Sequence, residues 1–87
     1  MSNERQIDLE NGDVADVIAV NTGLVDGFFR ATLIVKEKIY LEVPEDSAEA
    51  DCLRSGLADK IGQRVLILKQ NDENEPFRIA LKRGGAR

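Results

Sequence analysis

Two aromatic–arginine steps carry the residue types best suited to chemistry in this chain: Phe28-Phe29-Arg30 and Phe77-Arg78. Aromatic rings offer faces on which bases stack, and guanidinium groups neutralise phosphate, so the pairing points to single-stranded nucleic acid. Lys36, Lys38 and Tyr40 extend the first step; Lys82 and Arg83 extend the second. Nearby acids oppose this reading, because Asp26 beside one step and Asp72, Glu73 and Glu75 beside the other repel phosphate. The phenylalanines also have a plain structural role, closing the core at strand starts. Side chains alternate along a strand, so Phe28 and Phe29 cannot both point inward. The pattern places Phe77 and one of these two in the core and leaves the other exposed.

No other chemistry is legible. The chain has no histidine and a single cysteine, Cys52. Ser–His–Asp and Cys–His catalysis, thiol pairs and structural zinc are thereby excluded. Asp72, Glu73 and Glu75 lack the spacing of a calcium loop. Gly23 and Gly27 lack the lysine and hydroxyl partners of a phosphate cradle. Glu45, Asp46, Glu49 and Asp51 crowd the start of a helix, where acids oppose its dipole. The expectation is a protein that is not an enzyme and takes no cofactor and no metal.

Charge is uneven. The net charge is −4 and the pI about 4.8, which repels nucleic acid and anionic membranes. Acids dominate residues 1–27, whereas residues 77–87 hold Arg78, Lys82, Arg83 and Arg87 with no acid. A basic patch and a merely solvated surface both fit this distribution.

The elements that must position these residues follow from the pattern. Eighty-seven residues make one domain, and a 43% apolar share arranged in runs argues for a folded core. No run of about 18 apolar residues spans a membrane. The polar start lacks an apolar signal region, so a cytoplasmic location is expected. Residues 1–12 read as a flexible lead-in, 13–82 as the domain and 83–87 as a flexible basic tail. Val14–Val20 is the first strand, broken by Asn21-Thr22-Gly23, with a loop running to the turn pair Asp26-Gly27. Phe28–Val35 and Ile39–Val43 form an antiparallel hairpin that ends at Pro44. A helix runs over about Ser47–Ile61, with Asp46 as N-cap, Glu49 completing a capping box and Gly62 closing the end. Its apolar face is Ala48, Cys52, Leu53, Gly56, Leu57 and Ile61, and Gly56 allows close approach to the sheet. Val65-Leu66-Ile67-Leu68 is continuously apolar, which predicts a strand buried on both faces or central in the sheet. Phe77–Leu81 is the fifth strand.

Five strands with one helix between the third and fourth is mainly β, and the order resembles the OB-fold, a partly open five-stranded barrel. Phe29-Arg30-Ala31-Thr32-Leu33 and Gly62-Gln63-Arg64-Val65-Leu66-Ile67 are also similar to segments of translation initiation factor one and related RNA-binding barrels. Those relatives are more basic and have a shorter segment where this chain carries its acidic helix. An SH3-like barrel with an inserted helix is the structural rival. The resemblance implies a ligand groove over strands two and three, flanked by residues 21–27 and 71–76. Two functions follow as expectations: a module for single-stranded nucleic acid, RNA or DNA, and an acidic protein–protein adaptor or subunit of a larger complex.

Overall fold

The computed structural model describes residues 5–82. The protein is mainly β. Five strands, β1 (Val14–Val25), β2 (Phe28–Ile34), β3 (Lys38–Pro44), β4 (Arg64–Lys69) and β5 (Phe77–Leu81), form one sheet in the order β3-β2-β1-β4-β5. Every pairing between neighbouring strands is antiparallel. A single helix, α1 (Ala48–Leu57), lies between β3 and β4 in the chain. No ladder joins β3 to β5 among the described residues, so the sheet is open along that side.

β1 is longer than its sequence suggests. Asn21-Thr22-Gly23 does not break it; the register shifts between Ala19 and Asn21 and the strand continues to Val25. The shift, a β-bulge, bends the strand and reverses which residues face inward. Val17 and Ala19 face the core before it, whereas Thr22 and Leu24 stand opposite the inward Ala31 and Phe29 after it. β1 thereby pairs with β4 through its first half and with β2 through its second. The expected loop shrinks to Asp26-Gly27. Both have positive φ, 52° and 84°, as a two-residue hairpin turn of matching twist requires.

α1 is shorter than predicted. Ser47, not Asp46, caps it: the Ser47 hydroxyl accepts a hydrogen bond from the Ala50 N–H at 3.1 Å. The helix ends at Leu57, and Gly62 instead turns the chain with φ 87°, its N–H donating to the Ala19 carbonyl. Ala50, Leu53 and Leu57 are its buried residues; Ala48 and Ile61 are exposed and Cys52 is half-buried. Gly56 meets Ile79 of β5, the close approach its type allows.

The core lies between α1 and the inner face of the sheet, with Leu33, Val65, Ile67, Leu53 and Leu57 fully enclosed. Residues 5–12, expected as a loose lead-in, pack against this body. Gln6 forms a parallel bridge with Tyr40 at the β3 edge, Ile7 and Leu9 pack on the core, and the Gly12 N–H reaches the Lys69 carbonyl at 2.8 Å. The strap owes its place to Ile7 and Leu9, two apolar residues spaced as an extended segment needs to bury both on one side. Residues 83–87 lie outside the described residues.

Candidate interaction surface

The outer face of the sheet carries the even-numbered side chains of β2, β3, β4 and β5. The register places Arg30 opposite Glu42, Lys38 opposite Ile34, and Arg78 opposite Leu68. Lys82 neighbours Arg64, its N–H donating to the Arg64 carbonyl at 2.9 Å. Arg30, Lys38, Arg78 and Lys82 therefore share a face, but they do not converge. β3 and β5 are the two ends of the sheet, with three strands between them.

The aromatic rings divide as the alternation requires. Phe28 is 45% exposed and Phe29 only 3%. Phe77 is buried as well. The Arg54 guanidinium sits 5.2 Å from the centre of the Phe29 ring and the Lys69 ammonium 5.8 Å from that of Phe77, so cations of the chain itself cover both rings. Neither ring offers a face to a base. Arg30 pairs with Glu42, both side chains being less than one-fifth exposed, and stacks on Tyr40 at 4.6 Å. Lys82 is held by Asp16. Phe28, Lys36, Lys38 and Arg78 stay exposed, Tyr40 half so, and they are spread over opposite ends of the sheet. Arg83 lies outside the described residues. The cleft between the start of α1 and the β4–β5 loop, about 320 Å³, sets Glu49, Asp72 and Glu73 against Lys69. A net negative lining of this kind rejects phosphate.

Asp16 is the hub of the charged cluster on this face. The Lys82 ammonium donates to it at 2.6 Å and Arg64 through Nε at 2.9 Å. These two cations, Lys82 first, hold its carboxyl below the usual carboxylate range. A carboxylate whose pKa is depressed by folding adds stability above its unfolded pKa of about 3.9 and loses it as pH falls through the lower folded value. Asp16→Asn is therefore expected to lower the urea midpoint at pH 7. The gap to the parent should narrow as the pH is taken below about 4, where the unfolded carboxyl is protonated. A gap that stays constant down to pH 2 would refute this linkage.

The sequence reading missed an apolar block beside this cluster. β4 was expected to be buried on both faces or central, and it lies inside the sheet between β1 and β5. Its inner residues Val65 and Ile67 are enclosed, but Leu66 and Leu68 look outward and are only half-covered. Across the ladders, Val14 stands beside Leu68, and Asp16 and Ala80 flank Leu66; Ile18 lies beyond Asp16, opposite Arg64. Val14 is 57% exposed and Ile18 40%. The signal was present in the unbroken run Val65–Leu68, because an outer face that meets only water normally alternates to polar residues. Asp16, Arg64, Lys82 and Arg78 surround the block.

No family model, curated protein or solved structure matches the chain. Among the described residues, no group of three or more histidine, cysteine or acidic side chains is placed to hold a metal ion, and no helix is long and apolar enough to cross a membrane.

Proposed function

We propose that this chain is a cytoplasmic, OB-like binding module whose partner is a protein, docked on the outer face of β1, β4 and β5. The single observation that carries the reading is that Leu66 and Leu68 of β4 face outward and are only half-covered, beside the exposed Val14. An apolar centre ringed by charged residues is the anatomy of a protein interface. The strand order and the helix between β3 and β4 support the OB-like description. The nucleic-acid alternative is weaker, because Phe29 and Phe77 are buried and Arg30 and Lys82 are held in ion pairs.

The test is a photoreactive residue incorporated at Leu68 in living cells, with the same probe at exposed Asn71 as control. Protein adducts are expected at position 68, absent at 71, and lost on adding Leu66→Glu, which puts a charge at the centre of the block. Adducts confined to nucleic acid, or adducts insensitive to Leu66→Glu, would overturn the reading. A parallel titration with oligo-uridine should leave the amides of Phe28–Tyr40 unmoved; shifts there that fall steeply with salt would favour the nucleic-acid alternative instead.

A further inference from the structure

An open sheet has two edges, and this protein treats them differently. At β3 the outward-facing backbone of Tyr40 is occupied. Its N–H donates to the Arg5 carbonyl at 2.8 Å, and its carbonyl accepts the Ile7 N–H at 3.0 Å. Gln6 adds a side-chain bond to Glu42 at 2.9 Å, and Arg5 an ion pair to Glu37. Among the described residues the β5 edge has no such cover. The Lys82 N–H bonds the Arg64 carbonyl and the Gln70 N–H bonds the Pro76 carbonyl. In an antiparallel ladder hydrogen-bonded pairs alternate, so the even residues of β5 face β4 and the backbone groups of Phe77, Ile79 and Leu81 face outward. None of these outward groups bonds another backbone segment among the described residues. α1 meets β5 through the side chain of Ile79, on its inner face. The far end of the strand is open: Ala80 is exposed and Leu81 is 45% so.

We infer that the β5 edge accepts an extended, acidic segment of a partner protein as a sixth strand. This inference rests on the protein-binding reading above and names the partner's chemistry. The charges on β5 select the occupant. Arg78 is exposed and pairs with no acid among the described residues, whereas Lys82 is matched by Asp16. An acid opposite Arg78 completes a cross-strand pair, and the alternating apolar residues then stand opposite Ile79 and Leu81, on the inner face, and cover the exposed leucine. A second copy supplies no acid for Arg78: antiparallel pairing of two β5 strands about Ile79 sets it against Ala80. Antiparallel pairing of two β5 strands about Ala80 sets Arg78 of one copy against Lys82 of the other, and like charges directly opposite destabilise a ladder.

The test is a capped peptide, Thr-Val-Glu-Val-Glu-Val-Thr, added to the isotopically labelled full chain, with Thr-Val-Lys-Val-Lys-Val-Thr as control. The acidic peptide is expected to slow hydrogen exchange at the amides of Phe77, Ile79 and Leu81 and to bind at least about tenfold more tightly than the lysine peptide. Leu81→Pro removes one outward N–H without touching the ladder to β4, and is expected to weaken binding by about tenfold. No protection at these amides at millimolar peptide, equal binding of the two peptides, or protection confined to the β3 edge would overturn the inference. The exchange measurement on the parent chain stands even if Leu81→Pro fails to fold. Protein adducts at Leu68 together with unprotected β5 amides would sink this inference alone; protected β5 amides without adducts at Leu68 would sink the outer-face reading alone.

Discussion

Leu53→Ala is expected to destabilise this protein by about 3–4 kcal/mol, within the span typical of leucine truncation in a core that cannot collapse around the gap. Leu53 is fully enclosed and projects from the middle of α1 into the core shared with the sheet. The helix has only ten residues, too few to persist in water without packing. Ala50, Leu53 and Leu57 are its fully buried anchors, so the loss also loosens the helix from β5. A domain of this size has total stability of roughly 4–13 kcal/mol, and the substitution removes a large part of it. Urea titration followed by circular dichroism reads the effect as a lower midpoint at unchanged slope. Leu53→Met, which conserves volume, should lose less than about 1.5 kcal/mol. A loss below about 1 kcal/mol for the alanine variant would mean that α1 is not held by this side chain.

Gly56→Val is expected to cost about 2–3 kcal/mol by overpacking. A Cβ at position 56 would lie 2.6 Å from Ile79 Cδ1, 3.2 Å from its Cβ and 3.3 Å from its Cγ1. The Cδ1 contact is relieved by rotating a side-chain end; the Cβ contact requires the helix or β5 to shift. Gly56→Ala sets the same clash against a helix-propensity gain of about 1 kcal/mol. The backbone shift dominates, and a net loss of about 1 kcal/mol is expected. The pair separates the two effects. In an Ile79→Ala background the contacts with Cγ1 and Cδ1 are gone and only the 3.2 Å contact with Cβ remains, so Gly56→Ala should cost clearly less there than in the parent chain. The coupling should be about 1 kcal/mol or more, well above the error of a double-mutant cycle. If Gly56→Ala changes the stability of the parent chain by as much as that of Ile79→Ala, close approach is not why glycine stands there.

Much of the architecture was readable because it rests on local signals. Strand positions followed runs of β-branched residues, Asp26-Gly27 marked a tight turn, and Pro44 closed β3. Gly56 stood out as a costly residue inside a helix, and its reason is the contact with Ile79. The alternation argument correctly divided Phe28 from Phe29. The errors came from signals that several structures share. Asn21-Thr22-Gly23 is turn-like by type, yet pairing with Thr32, Ala31 and Arg30 across β2 carries it as strand. Asp46 and Ser47 are both good caps, and only the path of the backbone selects Ser47. Ile7 and Leu9 looked isolated in a polar segment until the core supplied a surface for them.

The candidate site was read less well. Residue type suggested which groups interact with nucleic acid, but type does not say which charges are already spent. Arg30 meets Glu42 twelve positions away, and Lys82 meets Asp16 sixty-six positions away, and no local pattern foretells either pair. Residue order by itself determined a mainly β chain with one helix between its third and fourth strands, because hydrophobic period and turn chemistry act over a few residues. Tertiary structure alone decided that, among the described residues, the sheet stays open, one edge is strapped and the other bare, and Leu66 and Leu68 face outward. Those outcomes depend on which distant segments meet, and a pairing register carries a side chain to one face or the other only once its neighbouring strand is in place.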